Sequence, residues 1–572
     1  VVGHVDSGKT SLARALSTTF STASLDKNPQ SQERKITLDL GFSSFSMPAP
    51  EHVQGFMPGC STLQFTLVDC PGHASLIRTI IGGSQIIDLM MLVIDVTKGI
   101  QTQTAECLVI GEILMDELII VLNKVDQLPE AGRQAHIKKT QDRLRKTLAA
   151  TKFKDCLMVP VAARIGTGGL DRGEGPVANI GIAELAEALA GRVRQPRRDT
   201  GSSFYFAVDH CFPIQGQGTV LTGTVLSGKC AVGQTVEFPE LKVQKKIKSM
   251  QMFRKPVNVA SQGDRVAIRV TQLDAKQMER GLVADPGTVP TISAAVVDVN
   301  RVRFFKFPIK SKAKFHVTVG HQTVMASFQF FTPVSGGGAD APVAPVADAA
   351  AAAADAPAVA SLTRAAEARV FSFDRGVECL SLDDLDADEA ATGPLWALAT
   401  FETPVTCPHG SVYIASRLDA DAHGSACRVA FHGRLGEAMN PADKTQMAQL
   451  RVYKTKEKKG NIKRVVDANV VIVKDLFRKE TDLSAFFNLK VSLPDGRVGT
   501  ITAAFGTSGQ VRVEFRDGHD LQITESKSER KRRGKAAAAA AEPAPQEEQP
   551  EYPSVFLRFK KYVFVTHNNV VQ

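Results

Sequence analysis

Eight residues at the start of the chain restrict its fold more than anything that follows. Gly3-His4-Val5-Asp6-Ser7-Gly8-Lys9-Thr10 fits the pattern G-x-x-x-x-G-K-[ST]. In such a loop the glycines let backbone N–H groups approach phosphate oxygens. Lys9 reaches the β and γ oxygens and the Thr10 hydroxyl can hold magnesium; Asp6, Ser7 and Gly8 belong to the same cradle. A loop of this kind joins a strand to a helix, so an α/β domain is expected. Short apolar runs at 63–68, 89–94, 118–122 and 157–161 suit parallel strands covered on both faces. Helical stretches at 11–18 and 136–148 lie among them. The first strand is expected to be truncated, because the chain opens at Val1, just before the loop.

Two further pieces stand at strand ends. Asp69-Cys70-Pro71-Gly72-His73 follows the run at 63–68; there Asp69 can hold magnesium through water and the Gly72 N–H can meet a γ-phosphate. Asn123-Lys124-Val125-Asp126 follows the run at 118–122. A carboxylate at Asp126 can accept both the N1–H and the exocyclic amine of guanine, a pair adenine does not present. Either motif alone could be a surface turn. Their order and spacing together favour a guanine nucleotide, GTP or GDP, with magnesium.

Beyond residue 204 the texture changes to short alternating strands with Gly turns, which suggests β-barrels. The expected organisation is a GTP-binding domain at 1–195, a β-barrel at 200–288, a second barrel at 289–455, and a basic, mostly β C-terminal domain at 456–572. An Ala-, Pro- and Gly-rich insertion at 336–365 has almost no large apolar residue and is expected to be disordered. A second low-complexity linker occupies 534–553. The ending alternates, with Val555, Leu557 and Phe559 able to face inward, so its strand is expected to return to the last barrel.

Charge and cysteine usage narrow the function classes. Between Arg451 and Lys535 there are 20 Lys+Arg against 11 Asp+Glu, an imbalance of +9 that equals the excess of the whole chain. A localised basic region suggests a polyanion partner. Lys454, Lys456, Lys458, Lys459, Lys463 and Arg464 form one run, and Lys527, Arg530, Lys531, Arg532, Arg533 and Lys535 another; a solvated, flexible charge run is the plainer alternative. The 9 cysteines are odd in number and never spaced as a zinc-binding pair, which fits a reducing compartment. The apolar run at 86–96 is broken by Asp88 and Asp95 and falls short of the roughly 20 residues of a membrane span, so no membrane association is expected.

The ordered set around the nucleotide resembles the translational GTPases of the elongation factor Tu family, in which His follows Asp-Cys-Pro-Gly. The resemblance implies that His73 positions the attacking water and that Thr37 of Arg34-Lys35-Ile36-Thr37 closes on magnesium and the γ-phosphate. It makes Val5 and Ile36 an apolar gate, and Ala162-Ala163-Arg164 a base-recognition loop with the Ala163 N–H near guanine O6. Lys35 stands where the family has Gly.

Longer stretches resemble the eukaryotic selenocysteine-specific elongation factors: Thr37-Leu38-Asp39-Leu40-Gly41-Phe42, Val208-Asp209-His210-Cys211, Lys248-Ser249-Met250-Gln251-Met252-Phe253 and Lys561-Tyr562-Val563-Phe564. The resemblance implies a monomeric GTPase, stimulated by the ribosome, that delivers selenocysteinyl-tRNA at recoded UGA codons. It places the selenol reader at Asp209, His210 and Arg280, with Arg280 pairing the selenolate. It also implies that the C-terminal domain couples to the recoding-element RNA through an RNA-binding protein. The expected location is the cytoplasm, with the basic run at 530–533 also readable as a nuclear import signal. A plain Arg280–Asp209 surface ion pair, a carrier of another aminoacyl- or initiator tRNA, and a metabolic GTPase resembling the sulfate adenylyltransferase regulatory subunit stay open as alternatives.

Overall fold

Strands Met90–Asp95 and Leu118–Asn123 are buried at every position, which is why neither alternates in sequence. In the computed structural model they run parallel, with Val2–Gly3 beside the first and Leu157–Pro160 beside the second. Described residues are 1–20, 41–70, 87–163, 180–195, 198, 200–214, 216, 218–334, 373, 375–385, 394–419, 427–506, 508–521, 552–565 and 570–572. The insertion at 336–365, residues 534–551 of the expected linker and the basic run at 527–535 lie outside them. The chain forms two compact units, one of Val1–Phe330, Asp340–Phe373 and Asp384–Met439, the other of Phe331–Ala339, Asp374–Asp383 and Asn440–Gln572.

In the first unit, helices Lys9–Leu16 and Ile182–Gly191 pack Leu12, Leu16, Leu185 and Leu189 on sheet residues Val93, Ile119 and Val121. Helices Thr102–Leu114 and Arg133–Leu148 belong to the same domain. One expected parallel strand is different. Thr62–Asp69 pairs antiparallel with Gly41–Pro48, from Gly41 opposite Asp69 to Pro48 opposite Thr62. Its first five residues alternate exposed and half-buried, as a ribbon wet on one side requires. Its end still reaches the parallel sheet: Val1 N donates to Val68 O at 2.7 Å and Cys70 N to Val1 O at 3.1 Å. Asp69 therefore arrives beside the phosphate loop.

The next domain is an eight-stranded antiparallel sheet around Phe204, Phe206, Phe238 and Ile268. Its central hairpin, Tyr205–Ile214 with Gly218–Ser227, carries an irregularity: Val208 opposes Gly223 and His210 opposes Thr222, leaving Asp209 as an extra residue. The third domain closes over an aromatic cluster of Phe315, Phe328, Phe330, Tyr413 and Phe431. It meets the GTP-binding domain through a buried ion pair. Arg428, 3% exposed, donates from Nε to Glu106 Oε1 and from Nη2 to Oε2, both at 2.8 Å.

His432 lies in the adjoining strand Val429–Met439. Burial, and then the charge of Lys152, push its pKa from 6.5 down to about 4. The unfolded chain takes up this proton near the ordinary value and the folded chain does so only near the depressed one. The stability tied to neutral His432 is thus whole above pH 6.5 and is lost as pH falls toward 4. Denaturation at about pH 7.5 and about pH 4.5 should reveal a loss on the order of 2–3 kcal/mol that His432→Gln removes.

In the second unit, Val452–Val465 pairs antiparallel with Ser554–Tyr562, from Tyr453 opposite Tyr562 to Asn461 opposite Ser554. The ending does return to this domain, with Val555, Leu557 and Phe559 buried beside Ile462, Val473 and Val513. The expected boundary at 455/456 falls inside the strand Val452–Val465. The first basic run is therefore a strand rather than a flexible tail. Lys454 pairs with Asp383, Lys463 Nζ donates to Gln510 Oε1 at 3.0 Å, and Lys458 Nζ sits 4.4 Å from the centre of the Phe477 ring.

Candidate functional site

The phosphate loop leaves strand Val2–Gly3 and enters helix Lys9–Leu16 through Gly8, whose φ of 92° suits glycine. A Cβ on Gly3 or Gly8 would run into Val93 O or Asn123 Nδ2, so the loop is packed against the strand ends behind it. Lys9 Nζ donates to His4 O at 2.7 Å. Burial holds the Lys9 ammonium below its ordinary pKa, with Asp69 opposing the shift. Thr10 Oγ1 donates to Asp69 Oδ2 at 2.6 Å. This brings together a hydroxyl and a carboxylate, the hard oxygen donors that magnesium takes. Ser7 Oγ is buried with no hydrogen-bond partner. A glycine-edged loop, a buried lysine and an unsatisfied hydroxyl fit a bound polyphosphate.

The base loop is braced from both sides. Asn123 Nδ2 donates to Ser7 O at 2.9 Å, and Asn123 Oδ1 accepts from Ala163 N at 3.1 Å. One side chain thus joins the phosphate loop to the segment Ala162-Ala163. Lys124, at φ 65°, turns its ammonium onto Asp95 Oδ2 at 2.8 Å. Asp126 follows on the short turn Val125–Gln127, pinned by Val125 N donating to Val161 O at 3.2 Å. Asp6 and Val5 lie within the loop itself; Val5 N donates to Gln103 Oε1 at 3.3 Å. Thr37, Gly72, His73 and Arg164 lie outside the described residues.

The barrel site differs from expectation. Asp209, 7% exposed, is paired with Arg265 Nη1 and not, among its identified partners, with Arg280. The sheet order explains this. Arg265 stands opposite Thr224 of the strand that also pairs with the Asp209 strand, so a guanidinium reaches across one intervening strand to the bulge. Arg280 precedes strand Gly281–Ala284 on the other side, where burial alone holds its pKa below the ordinary value. Burial pushes the Asp209 carboxyl up and the Arg265 guanidinium down, and each opposes that shift in the other. Burial also lowers the pKa of His210, against the pull of Asp209, so its imidazole is neutral at pH 7.

Beside this group lies a cavity of about 150 Å³ lined by Phe212, Ile214, Thr222, Gln251, Arg265 and Arg269 among others. Thr222 Oγ1, Arg265 Nη2 and Arg269 Nε are buried there with no hydrogen-bond partner. Buried donors of this kind are satisfied by ordered water or by a ligand with acceptor atoms. Arg265 was missed as a site residue, although one signal pointed to it. In Arg265–Val270 the alternation puts Arg265 and Arg269 on one face and Val266, Ile268 and Val270 in the core. Two arginines on one face of an otherwise apolar strand mark that face for an anion.

Comparison with known proteins covers the whole chain. The elongation factor Tu GTP-binding domain matches residues 1–195 and elongation factor Tu domain 2 matches 218–284. The third domain of eukaryotic selenocysteine-specific elongation factors matches 296–433, and a C-terminal RIFT domain from the same group matches 448–568. The selenocysteine-specific elongation factor of Mus musculus is 47% identical over 595 residues, covering 100% of this chain and 98% of the relative. That of Methanocaldococcus jannaschii is 34% identical over 330 residues, 57% of this chain and 64% of the relative. The crystal structure of translation elongation factor SelB from Methanococcus maripaludis with the GTP analogue GppNHp has the same fold, with a TM-score of 0.64 at 24% identity over 98% of this chain and 97% of that one. Likeness through all the domains favours this group over an ordinary aminoacyl-tRNA carrier or a metabolic GTPase. With a phosphate loop, a braced base loop and an arginine-lined barrel pocket in place, the chain belongs to the selenocysteine-specific elongation factors.

Proposed function

We propose that this GTPase carries selenocysteinyl-tRNA to the ribosome at recoded UGA codons and releases it when GTP is hydrolysed. The observation that carries this reading is the buried group Asp209–Arg265, with His210, against a cavity whose donors are unsatisfied. A selenol is more acidic than a thiol, whose pKa is about 8.5, so selenocysteine on its tRNA is an anion at neutral pH. Seryl-tRNA offers a neutral hydroxyl. Arg265 can donate from Nη2 to the selenolate while Asp209 holds Nη1, and neutral His210 can donate one further hydrogen bond. Arg265 takes the part that the resemblance had given to Arg280.

At the nucleotide, Lys9 binds the phosphate oxygens, and Thr10 and Asp69 would hold magnesium together with Thr37. The metal, when bound, neutralises charge on the β and γ oxygens. His73 orients the attacking water and the Gly72 N–H meets the γ-phosphate. Catalysis of this kind is positioning plus electrostatic stabilisation, so slow intrinsic turnover accelerated by the ribosome is expected. The basic face of the C-terminal domain would engage the recoding-element RNA and its binding protein through salt-sensitive phosphate contacts, with the factor working as a monomer in the cytoplasm.

The test is binding of the GTP-analogue form to selenocysteinyl-tRNA and to seryl-tRNA on the same tRNA body. A charge-assisted contact stronger by about 1.5 kcal/mol gives about tenfold preference for the selenocysteinyl form. Equal affinities would overturn the assignment of the pocket.

A further inference from the structure

Arg265, which lines the barrel cavity, packs against a residue that the barrel does not supply. Phe42 lies on strand Gly41–Pro48 of the GTP-binding domain and is 1% exposed. Its ring takes the flat face of the Arg265 guanidinium, with Cζ 3.2 Å from the ring centre. The same ring meets His210 edge-on, with centroids 6.2 Å apart and planes at 82°. One aromatic side chain from another domain therefore touches two of the three polar residues at the bulge.

We propose that Phe42 is a positioning residue that sets the specificity of this pocket by fixing the plane of the Arg265 guanidinium. Asp209 holds that group through Nη1. A contact at one corner leaves a planar fork free to swing about it, whereas the recognition of an anion depends on the direction in which the remaining donors point. The aromatic face removes that freedom, and in a buried setting its negative quadrupole also attracts the cation. With the plane set, Nη2 is left for the ligand.

The placement of Phe42 also ties this contact to the nucleotide site. Phe42 pairs with Val68 and its neighbour Gly41 pairs with Asp69, the residue that accepts from Thr10 Oγ1 at 2.6 Å. The guanidinium is thus aligned by a strand in register with the magnesium-side acid. Discrimination belongs to the docked pair of domains, not to the barrel alone.

The inference rests on the reading of the pocket as the selenocysteine site, and the experiment separates the two. The full chain with bound GTP analogue is compared with its Phe42→Leu, Phe42→Met and Phe42→Tyr variants for binding to selenocysteinyl-tRNA and seryl-tRNA. Phe42→Leu and Phe42→Met should weaken selenocysteinyl-tRNA binding about tenfold and seryl-tRNA binding by less than about twofold, while Phe42→Tyr, which keeps the ring, should restore the preference. Retained preference in both aliphatic variants overturns the inference alone. So does equal weakening toward both tRNAs, the mark of a packing role. A parent chain without preference overturns the reading of the pocket and this inference with it.

Discussion

Asp126→Asn should weaken GTP binding by roughly a hundred- to ten-thousand-fold, since two hydrogen bonds to a charged group, at about 1.5–3 kcal/mol each, depend on that carboxylate. The geometry confines the effect to the base. Asp126 sits on a turn of three residues that Val125 N anchors to Val161 O, and Asn123 independently braces the phosphate loop. Removing one charge leaves both anchors in place. An amide at this position still accepts from N1–H but presents N–H where the guanine amine needs an acceptor. Xanthine carries a carbonyl at that point, so xanthosine triphosphate should bind the variant better than GTP does. Titration with both nucleotides checks this, and equal losses for the two would show that the turn had merely collapsed.

The second large effect is on stability. Arg428→Ala should cost the first unit about 3–5 kcal/mol, because it leaves the Glu106 carboxylate buried without its cation. Glu106 is 5% exposed and takes both its near contacts from Arg428, at 2.8 Å each. The pair itself is another matter. Two desolvated charges of good geometry can be replaced by apolar groups of similar volume at little cost. The double variant Glu106→Leu with Arg428→Met should therefore recover most of the loss. Denaturant unfolding of the three chains decides the point: a double variant as weak as Arg428→Ala would mean that packing across this contact, not the orphaned charge, sets the cost.

The nucleotide site was legible because its chemistry is written in contiguous loops. Gly3 to Thr10 and Asn123 to Asp126 each fall at the end of a buried strand, so order in sequence is order in space. The strand at 62–69 was placed correctly along the chain but assigned the wrong neighbours. Leu63, Phe65 and Leu67 alternate with Gln64 and Thr66, which is the signature of a ribbon; only its last three residues are buried like a central strand. The partner of Asp209 was hidden for a different reason. The contact joins strands that are not neighbours and depends on a bulge, and neither pairing order nor an extra residue leaves a mark on the local sequence. The basic run at 454–464 was visible as charge, yet its strand character became legible only with its partner, Ser554–Tyr562, some hundred residues later.

The bulge at Asp209 separates two kinds of selection. Where the hairpin is regularly paired, adding or removing one residue would exchange the faces of every side chain beyond it. At a bulge the flanking residues are already in register with the neighbouring strand, so the chain can gain or lose this one position without re-laying the barrel. The carboxylate that orients Arg265 is in that sense detachable from the fold. On the proposed reading of the pocket, a single insertion or deletion here should change ligand choice, while Phe206, Val208 and Leu221 go on specifying the same core.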